Sequence, residues 1–207
     1  SKPRKSEILS NKVLHAELSS VEECRSIAEH FIERKISLSG LICNAGSGQS
    51  VPMGTEKASD WQKSFSDNFY SAVNLIQQLE GQVLQPGAKV VVIGSICGSN
   101  YIAGAPVTYS CAKAALETFV NHYAAHLARK GIQITYLELG NMLFEGSTWE
   151  SKSKQDPNAV NEMLRAKVPL RTLGKAESII GFIKWFLSDE NMFATGSKYT
   201  IDGGQTI

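Results

Sequence analysis

The segment between residues 86 and 113 constrains the fold more than any other part of the chain. It contains a run of β-branched residues, Val90 to Ile93, which lies between Pro86 and Gly94. Such a run is typical of a strand in a parallel sheet that is covered on both faces. Ser95 follows at the carboxyl end of this strand. The segment therefore predicts an α/β fold with a buried parallel strand near the centre of its sheet.

The helix predicted after this strand carries a tyrosine and a lysine. Pro106 has a φ angle suited to the start of a helix, so Tyr109 and Lys113 fall in the opening turns, and their spacing of four residues places both on one face. A phenol near its usual pKa of about 10 is a poor acid–base catalyst at neutral pH, but a nearby ammonium group lowers that pKa. We therefore predict that Tyr109 exchanges a proton with a carbonyl or alcohol oxygen, and that Ser95 orients this oxygen.

Tyr-x-x-x-Lys alone is a weak signal, because a surface tyrosine packed on a lysine gives the same spacing. The context is more specific. The Val-rich strand, Gly-Ser95, a glycine-containing loop and Tyr109-Ser-Cys-Ala-Lys113 closely resemble the active-site segment of the short-chain dehydrogenase/reductase family. The resemblance implies a doubly wound, Rossmann-like parallel sheet. It also implies that Tyr109 is the acid–base group, and that Lys113 lowers its pKa and binds the nicotinamide ribose.

A turn of small residues follows the strand predicted from Leu38 to Cys43. This turn, Asn44-Ala45-Gly46, resembles the Asn-Asn-Ala-Gly signature of the same family, with Cys43 in place of the first Asn. In doubly wound sheets ligands bind outside the carboxyl ends of the strands, where small residues let the backbone come close. The resemblance implies that the turn contacts the cofactor, whereas the simpler alternative is an ordinary strand-to-loop turn.

The carboxyl-terminal third of the chain continues the resemblance. A strand predicted over residues 132–139 ends at Gly140, and the family contacts the nicotinamide carboxamide just after this point with an aliphatic residue and a threonine. Met142 keeps the aliphatic role, whereas Phe144 lacks the hydroxyl. Residues 145–170 correspond to the region that covers the substrate, a helix is predicted from about Ala176 to Leu187, and residues 194–204 resemble the family's terminal strand with its Asp-Gly-Gly.

A long helix is predicted to begin at a cap formed by Ser59 or Asp60 and to run to about Leu79. Asn68 interrupts its apolar side, and a buried mid-helix Asn needs a hydrogen-bond partner. The resemblance implies that Asn68 holds a water linked to the catalytic lysine. Asn74 is the competing candidate for this role.

A strand is predicted from Lys12 to Leu18. It precedes the first predicted helix, which runs from Val21 to Ile36. The family has an acidic residue and an apolar residue at the end of this strand, and both pack on the adenine of the cofactor. Glu17 and Leu18 fill these positions, although the family usually has Asp. The alternative is that Glu17 is simply solvated.

The glycine-rich turn with which the family binds the pyrophosphate, Thr-Gly-x-x-x-Gly-x-Gly, does not occur in the sequence. We therefore expect an N-terminally truncated version of the fold that lacks its first βαβ unit and binds a dinucleotide weakly. The cofactor implied is NADP or NAD. If the basic residues from Ser1 to Lys5 belong to the loop that selects between them, their cations slightly favour the 2′-phosphate of NADP.

Composition limits the remaining possibilities. The 207 residues have a net charge of only +1, so charge gives no reason to expect nucleic acid or membrane as a partner. The four cysteines lack metal-type pairing, so no metal site is predicted, and they are simplest to explain as reduced thiols in the cytoplasm. We interpret residues 1–207 as a single domain that acts on a small carbonyl or alcohol.

The predicted helices near 60–79 and 107–130 are the pair that meets across a two-fold axis in the resembling family. Phe119 and Tyr123 would then face a second subunit as well as the core. The resemblance therefore implies a homodimer or homotetramer. The alternative function is a non-catalytic fragment or subunit that keeps these contacts but does not bind the cofactor.

Overall fold

Four parallel strands form the sheet of this protein, which a computed structural model describes for residues 13–207. The spatial order of the strands is the order of the sequence, and each strand is parallel to its neighbour. This arrangement confirms the predicted parallel α/β fold. The strands are β1 (Leu38–Cys43), β2 (Leu84–Ser95), β3 (Gln133–Leu139) and β4 (Lys198–Ile201).

Helices cover both faces of the sheet. Val90 and Val92 of β2 belong to a buried cluster on one face, whereas Val91 packs on the opposite face with Phe186. All three valines are fully buried, as a strand between two helical layers requires. The first face is covered by α1 (Val21–Glu33), α3 (Ser71–Leu79) and α4 (Val107–Ala128), and the second by α7 (Glu177–Leu187).

The helix that precedes α3 contains an irregular turn. Helix α2 (Ala58–Phe65) continues into a π-helical segment, Ser66–Tyr70, and then into α3. The predicted cap at Ser59 or Asp60 is wrong by two or three residues, because Lys57 is the residue that precedes the helix. Asp60 instead accepts a hydrogen bond from the Lys57 backbone N–H within the first turn (2.8 Å).

Two strand predictions need correction. The strand expected around Val90 to Ile93 begins earlier, at Leu84, because Leu84 pairs with Leu38 before the register shifts at Gly40. The strand expected from Lys12 to Leu18 does not form over residues 13–18, which have no strand partner among the described residues, and Leu18 lies in a turn. A strand exists only through hydrogen bonds to a neighbour, so a favourable pattern is insufficient there.

The polar region after β3 contains two helices that its composition does not reveal. Ser147 caps α5 (Thr148–Gln155), and Asp156 caps α6 (Pro157–Lys167) with Pro157 at its first position. Val160 and Leu164 of α6 form a small buried cluster with Val168 and Leu173. The two helices therefore pack on a core of their own.

Candidate active site

Tyr109, Lys113 and Ser95 meet at the carboxyl end of β2. Ser95 is the last residue of β2, and Tyr109 and Lys113 lie in the first two turns of α4. The Nζ atom of Lys113 lies 5.9 Å from the centroid of the Tyr109 ring and donates a hydrogen bond to the Ile93 carbonyl oxygen (3.1 Å). Three side chains suited to proton transfer and oxygen binding therefore share one end of the sheet.

Burial shifts the pKa of both Tyr109 and Lys113. Burial raises the pKa of Tyr109, and the Ser95 hydroxyl opposes this shift by stabilising the phenolate. Lys113 is itself buried, which lowers its pKa to about 8. Desolvation is thus the largest contribution to the Tyr109 pKa here, and the lowering of this pKa by Lys113 stays a prediction.

Asn68 connects the turn after β1 to the irregular turn between α2 and α3. Its Oδ1 accepts from the Ser47 backbone N–H (3.1 Å), and its Nδ2 donates to the Ser47 and Ser64 carbonyl oxygens (2.9 and 3.1 Å). π-Helical turns of this kind are frequent at functional sites. A Cβ on Gly46 would lie 2.7 Å from Asn68 Oδ1 and 3.5 Å from Lys113 Nζ, so the turn passes close to both side chains.

Asn74, the alternative to Asn68, lies at a different place. Its Nδ2 donates to the carbonyl oxygens of Ser19 (2.8 Å) and Leu18 (3.4 Å), and it thereby fixes the turn before α1. Asn68 is thus the one of the two whose contacts reach the turn beside Lys113.

A second group of predicted residues lines a cavity beside the edge strand β1. Leu18, Asn44 and Ala45 share this cavity of about 340 Å³ with residues of β1 and α3. Glu17 is not part of the lining. Its carboxylate accepts hydrogen bonds from the Ser19 backbone N–H and hydroxyl (3.1 and 2.9 Å), which lower its pKa.

Gly140 and Met142 lie where β3 leaves the sheet. The Gly140 N–H donates to the Ile201 carbonyl oxygen (3.0 Å), and a Cβ at Gly140 would lie 2.7 Å from Asp202 Cα, so only glycine fits this approach. Met142 forms an isolated parallel bridge with Gly174, and Phe144 is exposed. At Phe144 the chain therefore exposes an aromatic ring where the resembling family has a threonine.

Comparison with known proteins identifies the family of the chain. The family model described as enoyl-(acyl carrier protein) reductase matches residues 3–206, nearly the whole chain. The chain belongs to the short-chain dehydrogenase/reductase family. The structure of this family member is similar to that of a Pseudomonas aeruginosa protein, the RhlG/NADP active-site complex, with a TM-score of 0.81 and 27% identity over 92% of this chain and 75% of the other.

Two of the relatives are named as a dehydrogenase and a reductase. Isoepoxydon dehydrogenase patN of Penicillium expansum is 29% identical over 85% of this chain and 66% of its own length. Acetoacetyl-CoA reductase of Cupriavidus necator is 28% identical over 79% of this chain and 64% of its own length. The chain thus spans about two thirds of the length of the relatives that it matches.

Two polar residues of β3 support this site, and the sequence analysis did not identify them. Tyr136 and Glu138 are buried in the strand, and a tyrosine and a glutamate between the apolar residues Ile134, Leu137 and Leu139 were the available signal. Glu138 accepts hydrogen bonds from Ser99, from Thr200 Oγ1 (2.7 Å) and from Lys198 Nζ (3.4 Å). Glu138 thereby attaches the loop that follows Ser95 to β4.

Proposed function

We propose that the protein is an NAD(P)-dependent oxidoreductase that interconverts a carbonyl and an alcohol of a small molecule. The supporting observation is the convergence of Tyr109, Lys113 and Ser95 at the carboxyl end of the central strand, beside the turn held by Asn68. A bound nicotinamide would donate or accept the hydride. The chain has space for a nicotinamide dinucleotide. Gly46 has no Cβ, which would fill the space between the turn and Asn68, and the cavity at Leu18 and Asn44 lies beside the edge strand β1.

In this proposal each side chain has one task. Tyr109 donates its phenolic proton to the alkoxide oxygen during reduction and accepts a proton during oxidation. Ser95 donates a hydrogen bond to the same oxygen. Lys113, with its pKa lowered to about 8, returns the proton to Tyr109 and holds the nicotinamide ribose. Asn68 keeps the turn at Gly46 beside Lys113, where a bound water would continue the relay.

The cofactor is proposed to be a nicotinamide dinucleotide, with a slight preference for NADP. The relative from Pseudomonas aeruginosa is described as an NADP complex. The basic residues from Ser1 to Lys5, which motivated the same preference, lie outside the described residues. Leu18, Asn44 and Ala45 would take the adenine end, and Gly140 and Met142 the nicotinamide end.

Calorimetric titration tests this proposal directly. The protein, expressed from its complete coding sequence, is titrated with NADPH and with NADH, and we expect micromolar binding with a lower Kd for NADPH. Acetoacetyl-CoA, the substrate in the name of one relative, is a suitable first carbonyl for turnover assays. The absence of binding by both cofactors would contradict the proposal and would favour the alternative of a non-catalytic subunit.

A homodimer or homotetramer is part of the proposal. Phe119 and Tyr123 stack at 4.7 Å on α4 and remain partly exposed, with Trp61 and Tyr70 exposed on the neighbouring helix. A second copy of the same face would cover these rings. Light scattering at micromolar concentration should give a multiple of the monomer mass, and a monomer would contradict this point.

No helix within residues 13–207 is both long and apolar enough to cross a membrane. The cytoplasmic location stays a prediction.

A further inference from the structure

Tyr136 lies beneath the candidate active site, in the middle of β3. It pairs with Val92 of β2, and its side chain is almost completely buried, with 1% exposed. Its ring occupies the space beside Gly94, where a Cβ would lie only 2.0 Å from the ring. Gly94 therefore makes room for Tyr136, directly before Ser95.

The Tyr136 hydroxyl joins the two elements that carry the site. It accepts a hydrogen bond from the Ser95 backbone N–H (3.3 Å) and donates one to the Lys113 carbonyl oxygen (3.1 Å). A buried hydroxyl without hydrogen-bond partners destabilises the folded state, and these two hydrogen bonds remove that cost for the Tyr136 hydroxyl. Burial raises the pKa of Tyr136, which keeps the phenol neutral and able to donate.

We propose that Tyr136 is a positioning residue, whose hydroxyl fixes the end of β2 against α4 and so sets the Ser95 hydroxyl relative to Tyr109 and Lys113. This inference rests on the proposed function. Ser95 is attached at its backbone by Tyr136, and its Oγ accepts from the Cys97 N–H (3.2 Å), so both parts of the residue are held. Lys113 is held at its carbonyl by Tyr136 and at Nζ by Ile93.

A purely space-filling role is the competing explanation, and the hydroxyl distinguishes the two. Phenylalanine would fill the space beside Gly94 equally well. If filling were sufficient, removal of the hydroxyl would change only the stability of the fold and leave the reaction unaffected. If the hydroxyl positions the site, its loss lowers kcat as well, because small displacements of reacting groups slow the reaction strongly.

The test compares Tyr136→Phe with Tyr199→Phe in the protein expressed from its complete coding sequence. Tyr199 is a suitable control because its ring packs on Phe182 (4.7 Å between centroids), and its hydroxyl makes no hydrogen bond within residues 13–207. We expect Tyr136→Phe to lower kcat about tenfold with little change in the cofactor KM, and Tyr199→Phe to leave both unchanged. In a Ser95→Ala background the effect of Tyr136→Phe should shrink, because the hydroxyl that it positions is gone.

Hydrogen exchange at the Ser95 amide gives a readout that does not depend on activity. Tyr136→Phe removes the acceptor of this N–H, so its exchange should become faster while Tyr199→Phe leaves it unchanged. An unchanged exchange rate at Ser95, an unchanged kcat, or a loss of kcat that is equally large in the Ser95→Ala background would overturn the positioning role. An inactive wild-type protein would instead overturn the proposed function, and the exchange experiment would still decide whether Tyr136 holds the end of β2.

Discussion

The proposed nicotinamide end and the proposed adenine end of the candidate site are held in different ways. At the nicotinamide end, Ser95 and Lys113 are buried, and Tyr136 joins them through hydrogen bonds at the centre of the sheet. At the adenine end, the turn at Leu18 is held mainly by Asn74 and by Cys24, whose Sγ donates to the Leu18 carbonyl oxygen (3.3 Å). The chemistry is thus built on rigid elements, whereas the adenine end depends on a turn attached to them.

Exposure follows the same division. The valines of β2 are fully buried, but Ile42 of β1 is 46% exposed and Val13 is 74% exposed. β1 pairs with β2 on one side and with no other strand among the described residues. Unpaired strand edges are the less stable part of a sheet and are normally covered. We therefore expect changes near β2 and β3 to affect chemistry, and changes near β1 to affect cofactor affinity.

The largest effect on stability is expected for Gly94→Ala. The new Cβ would overlap the Tyr136 ring, which cannot move freely in a buried site, so unfolding should become easier by about 2–3 kcal/mol. Gly48→Ala, in the loop after β1, is the control because no atom lies within 4 Å of a Cβ there. Urea unfolding of both variants makes the comparison, and equal midpoints would contradict the close packing at Gly94.

A pH-dependent effect of similar size is expected at Lys113. Its pKa is about 8 in the folded protein and about 10.4 in an unfolded chain, so the buried charge destabilises the fold below pH 8. Between these two values the unfolded chain binds more protons, and the stability of the wild type therefore rises with pH. Lys113→Met removes this rise, so its stability advantage over the wild type should shrink by about 3 kcal/mol from pH 7 to pH 10.5.

Urea unfolding at several pH values measures this difference, with Lys175→Met at an exposed lysine as the control. A constant difference between Lys113→Met and the wild type would show that the lysine is not desolvated in the folded protein.

Variants of the two buried asparagines Asn68 and Asn74 should affect the two ends of the site separately. Asn68→Ala leaves the Ser47 N–H and carbonyl without their partner beside Lys113, so we expect kcat to fall about 10- to 100-fold. Asn74→Ala releases the turn at Leu18, so the cofactor KM should rise while kcat is retained. Steady-state kinetics with varied cofactor distinguishes them. The reverse result, with kcat lost in Asn74→Ala only, would reassign the relay residue.

The parts of the molecule that the sequence predicts well are those with local signals. The valine run and Pro106 predict β2 and the start of α4, and the order of these elements brings Ser95, Tyr109 and Lys113 to one edge. Residues 13–17 show why other parts are harder to predict, because a strand depends on a distant partner. Helices α5 and α6 were not predicted, although Ser147, Asp156 and Pro157 at their starts are residues that favour the beginning of a helix.

Tyr136 and the Tyr109 pKa illustrate a second limit. Tyr136 was not singled out from the sequence, because its two hydrogen-bond partners lie on other elements and become neighbours only in the folded chain. Likewise, the helical spacing predicts that Lys113 lies near Tyr109, but the sequence does not reveal that both are desolvated. Desolvation determines the direction of the pKa shift here.

The most direct test of the account is the turnover of Tyr109→Phe in the protein expressed from its complete coding sequence. This change removes the phenolic proton and keeps the ring, so we expect kcat to fall about 10²- to 10⁴-fold, with the cofactor Kd and the unfolding midpoint unchanged. A Tyr109→Phe variant that turns over at nearly the wild-type rate, with the same stability, would contradict the assignment of Tyr109 as the acid–base group.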